Sequence, residues 1–353
     1  MNTGIEKRLT THIDKLEFPL KETPRPGKTV QITPELRWVR MPLPFALDHV
    51  NIWLITDEHG WTSIDSGIST KINKQLWREI ISGGINNDPI SKIIITHYHP
   101  DHIGNASWLM ETFNAPLHIT LSEYLTAHAQ IDSKAGHKDL FNNQLFNNHG
   151  LVSTMSSSKE KNKKTYRDFV DPLPEFFNRL IDGQNIKIGN HHWKVIVGHG
   201  HSPEHASLYC QALDVLIAGD MLLPKISTNV SVTLVNPDGD PLEDFLTSLK
   251  KFKEIPDSTL ILPSHGEPFR GARARVEMLE NHHLARLKET EESSEISINA
   301  YELLPTMFKR KLDLHQTPFA MGEAIAHLNH LWHRGILHRE IRPNNKIRFK
   351  KIK

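Results

Sequence analysis

Three histidines and one aspartate lie within six residues of this chain, at His97, His99, Asp101 and His102. The apolar run 92–95 precedes them and is typical of a short buried strand. Because alternate side chains of an extended segment share a face, His97 and His99 can point at one ion. A proline follows His99 and favours the first position of a new helix, so Asp101 and His102 fall in its opening turn and can serve a different ion. Imidazole nitrogens with a carboxylate form a ligand set typical of zinc, and iron or manganese would also fit it.

The spacing HxHxDH resembles the signature of the metallo-β-lactamase superfamily, in its glyoxalase II-like hydrolase form. Four further motifs of that family can be matched along the chain in the family's order. They are Asp65-Ser66-Gly67, Gly200-His201-Ser202-Pro203-Glu204-His205, Ala218-Gly219-Asp220 and Pro263-Ser264-His265-Gly266. Four of the five motifs end or follow a strand-like run, which makes the resemblance specific.

The resemblance implies two divalent metal ions as cofactors, zinc in the first instance and iron or manganese as alternatives. The implied ligands are His97, His99 and His201 for one ion, Asp101, His102 and His265 for the other, and Asp220 as the bridge between them. Two such cations share a water molecule whose pKa a metal can lower to about 7, and the resulting hydroxide attacks carbon or phosphorus. Asp101 and Asp220 are the predicted catalytic residues, and Asp101 is also expected to carry a proton.

Two further residues are predicted to support the ligands rather than to bind metal. Asp65 is expected to accept hydrogen bonds near the site. His205 lies four residues after His201, but the intervening Pro203 opposes a helix and the glutamate of a metalloprotease HExxH motif is missing. We therefore expect His205 to lie behind a ligand, with direct metal ligation as the alternative.

The composition predicts a soluble protein of a reducing compartment. At 353 residues the chain exceeds the usual size of one domain, 38% of it is hydrophobic, and its formal net charge is +1. The single cysteine, Cys210, excludes a disulfide within the chain. Residues 1–19 lack the apolar core of a signal peptide, and no apolar run approaches the roughly 18 residues that span a bilayer. We therefore expect a cytoplasmic protein that does not enter a membrane.

The order of predicted elements indicates an α/β fold, and the resemblance implies the four-layer αββα sandwich of the superfamily. We expect a catalytic domain over residues 1–290, with an irregular lead-in over 1–35, and a small winged-helix-like domain over residues 296–353. Residues 291–295 are the predicted linker. A helical insertion at about 121–182 is expected to cover the metals as a lid. Within it we predict helices over 122–131, 138–147 and 173–181 and a mobile polar run over 156–164.

The tail from residue 300 has the order of a winged helix. Two helices are predicted over 300–311 and 321–334, followed by a hairpin around Pro343-Asn344-Asn345. The same tail follows the metal domain in the lactamase-like endoribonuclease branch of the superfamily. From Ala300 onward, eleven Lys and Arg side chains face four Asp and Glu. This excess leaves three interpretations open: nucleic-acid binding, a solvated surface, or the contact of a homodimer.

We predict a metal-dependent hydrolase that cleaves a small-molecule substrate, a thioester or ester such as an acyl-CoA or glutathione thioester. Only 45 positions separate Asp220 from His265, which leaves no room for the large domain that nucleic-acid-cleaving relatives often insert there. The apolar loop 41–45 and a helical lid would suit an acyl chain. A single-stranded RNA endoribonuclease is the alternative, favoured by the basic tail, and a lactonase is the second alternative. The complete ligand set disfavours a non-catalytic module.

Overall fold

Two β-sheets stack face to face in the computed structural model, which describes residues 15–132, 144–151, 165–313 and 316–353. The strands of the first sheet pair in chain order, antiparallel from the first to the fourth and parallel from the fourth to the seventh. They are β1 (Thr29–Thr33), β2 (Leu36–Pro42), β3 (His49–Asp57), β4 (Gly60–Ile64), β5 (Ile90–Ile94), β6 (Leu117–Ile119) and β7 (Asn178–Arg179).

The second sheet has five strands, β8 (Asn185–Ile188), β9 (His191–Gly198), β10 (His205–Cys210), β11 (Val215–Gly219) and β12 (Leu260–Pro263). They lie side by side in chain order, and all neighbours are antiparallel except the parallel pair β11 and β12. Side chains from both sheets, including Trp38, Trp53 and Trp193, form one buried apolar core between them. Burial of these large rings holds the two sheets together.

Helices cover the outer face of each sheet and confirm the predicted four-layer αββα sandwich. The first sheet is covered by α1 (Lys71–Glu79), α2 (Pro100–Ile103), α3 (Ala106–Phe113) and α4 (Leu121–Asp132), and the second by α6 (Pro241–Phe252) and α7 (Ala272–Ser293). Each outer face has its own apolar cluster, with Trp77 and Leu109 in the first and Phe245 and Leu279 in the second. Among the described residues, no helix has the length and apolar character needed to cross a bilayer.

The C-terminal segment has the predicted order of two helices and a hairpin. Its elements are α8 (Ala300–Met307), α9 (Gln316–His333), β13 (Leu337–Arg342) and β14 (Lys346–Lys351). Ile325 and Phe349 are buried in the same apolar cluster as Phe245 of α6, and Leu145 of the short helix α5 (Gln144–Asn148) joins them. This segment is therefore packed onto the outer helices of the second sheet, and its winged-helix class stays a prediction.

Three local predictions are wrong. Part of the lead-in forms β1, because the residues of Thr29–Thr33 are mostly β-branched and suit a strand. Residues 173–181 hold a loop and β7 instead of a helix, because Pro174 lacks a backbone donor and the open edge of β6 pairs with β7. The predicted linker begins inside α7, which continues to Ser293. The polar run 156–164 and the predicted helix residues 138–143 lie outside the described residues.

Candidate metal centre

Loops that follow four strands bring all seven predicted ligands together. The 97–102 motif follows β5, His201 follows β9, Asp220 follows β11 and His265 follows β12. A backbone hydrogen bond from Ser264 N to Gly219 O, at 3.1 Å, joins two of these loops across the edge of the second sheet. The first sheet supplies the 97–102 motif, and the second sheet supplies His201, Asp220 and His265. Strands of both sheets therefore build the site.

The first group of facing nitrogens belongs to His97, His99 and His201. His97 Nε2 lies 2.8 Å from His99 Nδ1 and 3.2 Å from His201 Nε2. His97 is fully buried, and His99 and His201 are only partly exposed to solvent. These three nitrogens could hold one ion.

The second group consists of Asp101, His102 and His265. Asp101 Oδ2 lies 3.5 Å from His102 Nε2 and 3.4 Å from His265 Nε2. Asp220 faces both groups through different oxygens. Its Oδ2 lies 3.4 Å from His201 Nε2, and its Oδ1 lies 3.7 Å from His102 Nε2 and 3.5 Å from His265 Nε2. The carboxylate of Asp220 could therefore contact two ions at once.

The spacing of these atoms fits divalent cations. Ligand atoms 2.0–2.2 Å from a tetrahedral ion lie roughly 3.3–3.6 Å from one another. Most of the separations above fall in or close to that range, which is longer than a good hydrogen bond. Among the described residues, His102 Nε2 and Asp220 Oδ1 are also buried without a hydrogen-bond partner. Buried polar atoms without partners are costly, and a bound cation would satisfy both of them.

In three of the ligand histidines the nitrogen that points away from the groups has its own hydrogen-bond partner, whereas His99 faces His97 through Nδ1. Nδ1 of His201 contacts Asn229 O at 2.8 Å, and Nδ1 of His265 contacts His49 O at 2.7 Å. Nδ1 of His97 lies 3.0 Å from Thr96 Oγ1. These contacts fix the ring orientation and leave Nε2 of each ring free to bind metal, which is the usual arrangement around metal-ligating histidines.

Asp65 lies behind the metal groups, where it accepts hydrogen bonds. Its Oδ2 accepts from His102 Nδ1 at 2.8 Å, and its Oδ1 accepts from the backbone N–H of Thr96 at 2.8 Å. The backbone of Asp65 has a φ of 66°, a conformation that aspartate tolerates better than most residues. Asp65 thus joins the end of β4 to the start of the metal motif.

His205 lies against the backbone that carries Asp220. Its Nε2 accepts a hydrogen bond from the N–H of Asp220 at 3.0 Å, so this nitrogen is not turned toward an ion. A Cβ atom on Gly219 would lie 2.3 Å from the His205 ring, and Gly219 has a φ of 57°. Only glycine allows the ring to approach this closely, so Gly219 and His205 together position Asp220.

The electrostatics of the two groups also favour cations. Burial lowers the pKa of His97 well below its ordinary value, and the neighbouring imidazoles lower it further. A neutral imidazole presents the lone pair that a metal needs. Burial opposes charge on His102 too, but the carboxylates of Asp101, Asp65 and Asp220 raise its pKa well above the ordinary value. The second group therefore attracts positive charge.

Two buried residues of this region were missed by the sequence analysis. Glu123 of α4 accepts hydrogen bonds from the loops of both His97 and His201. Its position three residues after Thr120 matches a helix capping box, which would have indicated a purely local role. Asn51 of β3 donates to the carbonyl oxygens of Pro263 and Gly266, on either side of His265, at 2.8 and 2.9 Å. No local pattern distinguishes Asn51 from any other polar residue in a strand.

Comparison with known families agrees with this geometry. The family model described as Metallo-beta-lactamase superfamily matches residues 46–265, and the one described as Metallo-beta-lactamase-like, C-terminal domain matches residues 287–352. The first match covers more than half of the chain and includes all seven predicted ligands.

Individual relatives extend the comparison to nearly the whole chain. A solved structure of a beta-lactamase domain protein from Burkholderia ambifaria is 40% identical, with a TM-score of 0.87 over 96% of this chain and 98% of that chain. The probable metallo-hydrolase YqjP of Bacillus subtilis (strain 168) is 23% identical over 302 residues, which are 82% of this chain and 90% of that protein. The hydroxyacylglutathione hydrolase of Haemophilus ducreyi is 23% identical over 239 residues, 67% of this chain and 76% of that enzyme. With the His/Asp groups described above, these matches show that the chain belongs to the metallo-beta-lactamase superfamily and is a metal-dependent hydrolase.

Proposed function

We propose that this hydrolase cleaves a small-molecule thioester or ester, such as an acyl-CoA or a glutathione thioester, at two divalent cations. The observation that carries the proposal is the position of Asp220, whose two carboxylate oxygens face two separate ligand groups. A shared carboxylate suits a pair of cations only a few ångström apart. We propose zinc for both, with iron or manganese as alternatives, because nitrogen and oxygen donors suit all three.

In this proposal the chain's residues have distinct roles. His97, His99 and His201 hold one ion, Asp101, His102 and His265 hold the other, and Asp220 contacts both. When bound, the ions supply Lewis-acid activation of water and of the scissile carbonyl group. The Asp101 side chain is 17% exposed and that of Asp220 only 9%, so Asp101 is better placed to take up a proton and return it. Asp65 and His205 keep their neighbours in position.

The relatives and the apolar surroundings support an acyl substrate. The Haemophilus ducreyi relative is named as a hydroxyacylglutathione hydrolase. In this chain the apolar loop 41–45 contacts the predicted insertion, since the rings of Phe45 and Phe169 lie 5.4 Å apart, edge to face. Residues of loop 41–45 and of the insertion thus form one apolar wall, which supports the proposed lid.

The charge of the tail supports the small substrate over RNA. Five of its basic side chains form ion pairs within the described residues: Arg334 with Glu243, Arg339 with Asp238, Arg342 with Glu340, Arg348 with Glu302 and Lys351 with Glu291. These pairs reduce the positive charge that an RNA backbone would meet. The RNA and lactone alternatives remain as outcomes of the assay below.

The test compares the wild-type protein with His99→Ala and Asp220→Asn. We expect about two metal ions per wild-type chain by elemental analysis, and hydrolysis of at least one acyl-CoA or glutathione thioester. Both variants should lose hydrolysis while circular dichroism shows the folded protein. Turnover by metal-free protein would refute the proposal. Cleavage of lactones alone, or of labelled single-stranded RNA alone, would replace the thioester with that substrate class.

A further inference from the structure

One buried carboxylate joins the two loops that supply the first group of histidines. Glu123 belongs to the first turn of α4 and is fully buried. Its Oε2 accepts a hydrogen bond from the backbone N–H of Tyr98 at 2.9 Å. Its Oε1 accepts from Ser202 Oγ at 2.7 Å and from the N–H of Glu204 at 2.6 Å. Both oxygens are therefore used, and the two sides of the carboxylate contact different loops.

The positions of these donors relate Glu123 to one ligand group only. Tyr98 lies between His97 and His99 in the chain, and Ser202 directly follows His201. The three donors thus flank all three members of the first group. None of the three is adjacent in sequence to Asp101, His102 or His265, although Tyr98 shares the 97–102 motif with Asp101 and His102. A carboxylate that holds both loops sets the distance between the nitrogens that must share an ion.

A second set of contacts from the same helix start supports this role. Thr120 Oγ1 donates to Glu204 O at 2.8 Å, and the N–H of Ser122 donates to Glu204 Oε2 at 3.0 Å. The start of α4 therefore contacts the His201 loop through three residues.

We propose that Glu123 is a positioning residue that sets the geometry of the His97, His99 and His201 group and hence the metal affinity of that group. The inference rests on the proposed two-ion function. It assigns a role in the active site to α4, which opens the insertion. Replacing Glu123 should weaken the first ion and leave the second one bound.

The decisive variant is Glu123→Gln, which preserves shape but replaces one acceptor oxygen with a donor NH2. If the amide oxygen keeps the hydrogen bonds from Ser202 and Glu204, the NH2 group faces the N–H of Tyr98, and two donors meet without an acceptor. If the amide turns over, the N–H of Glu204 loses its acceptor. Either orientation releases one of the two loops. Loss of such an outer contact typically lowers metal affinity by about 10- to 100-fold.

The matched control is Tyr124→Phe, on the next position of the same helix. It removes the hydrogen bond from Tyr124 Oη to Pro174 O, at 2.6 Å, without affecting either metal loop. Metal-free wild-type, Glu123→Gln and Tyr124→Phe proteins would be titrated with Co²⁺, whose absorption bands differ between a three-histidine site and a site with two histidines and a carboxylate. Circular dichroism and thermal melting would be recorded in parallel.

We expect Glu123→Gln to weaken only the three-histidine site, by about 10- to 100-fold, and Tyr124→Phe to leave both sites unchanged. Ser202→Ala removes one donor alone and should give a smaller loss at the same site, which keeps the test valid if Glu123→Gln does not fold. Equal weakening of both sites, or unchanged Co²⁺ binding, would overturn the positioning role while leaving the proposed function intact. Wild-type protein that binds no Co²⁺ would overturn both.

Discussion

The acid sensitivity of this fold should depend on His149, a buried histidine between α5 and the C-terminal hairpin. Its side chain is 1% exposed, its ring stacks on Phe349 at 6.0 Å, and both ring nitrogens lack hydrogen-bond partners among the described residues. Burial lowers the pKa of His149 to about 3, and the charge of Arg339 contributes in the same direction. Protonation of His149 therefore opposes the packing of α5 on the tail.

The sign and size of the effect follow from linkage. An unfolded histidine has a pKa of about 6.5, so between that value and about 3 the unfolded chain binds a proton that the folded chain excludes. The free energy of unfolding therefore falls as the pH falls below about 6.5. Each pH unit contributes about 1.4 kcal/mol, so His149 should cost roughly 2 kcal/mol at pH 5 compared with pH 7.5.

The variant His149→Leu removes this titration at similar side-chain volume. Urea unfolding at pH 7.5 and pH 5 would be measured for the wild type, for His149→Leu and for His192→Leu, whose parent side chain is exposed on β9. In each comparison with the wild type, every group other than the substituted histidine is shared by the two proteins and cancels. We expect His149→Leu to lose roughly 2 kcal/mol less than the wild type between the two pH values. An equal loss of stability in the wild type and in His149→Leu would refute the assignment of this acid sensitivity to His149.

Three further predictions concern the glycine at the tail contact, a buried carboxylate and the bound ions. Gly322→Ala places a Cβ 2.8 Å from Ser231, in the loop whose Asn229 carbonyl orients His201. It should therefore lower both the melting temperature and the Zn²⁺ affinity. The control Gly83→Ala has no atom within 4 Å of its new Cβ and should change neither. Burial alone would raise the pKa of Asp57, but hydrogen bonds from Lys92 and Thr62 lower it below its usual range. The stability that ionised Asp57 contributes to the fold is therefore lost as pH falls below about 4. Asp57→Asn should reduce the free energy of unfolding at pH 7 by about 1–3 kcal/mol and weaken the loss of stability at acid pH in a urea-unfolding series. Removal of metal with EDTA should lower the melting temperature. Ions that bind only the folded chain stabilise it by about 4 kcal/mol when their free concentration is 1,000 times the Kd. An unchanged melting curve would contradict metal binding at the site.

Several features of the fold and the site could be predicted because their physical causes are local. The HxH spacing predicted that His97 and His99 face one ion, and their nitrogens meet in the loop after β5, where the following proline begins a helix before Asp101. Asp240 begins α6, where its side chain accepts a hydrogen bond from Glu243 N at 3.0 Å, a capping contact between residues only three positions apart. The four-layer fold followed from the order of such elements and from the family resemblance.

Other features depended on contacts that no local pattern encodes. β7 pairs with β6 because that edge of the sheet is open, although its own residues gave no strand signal. Glu123 contacts donors 25, 79 and 81 positions away. The carbonyl that orients His265 belongs to His49, 216 positions earlier in the chain.

The sequence alone therefore determined which side chains can bind metal and in what order they occur, because residue chemistry and strand or turn geometry act over a few positions. Only the tertiary structure decided how those side chains are oriented, because the orienting groups are backbone carbonyls and buried polar side chains from distant loops. Carbonyl groups are present at every residue, so only the folding of the chain selects those of His49 and Asn229 as partners of the metal-facing histidines.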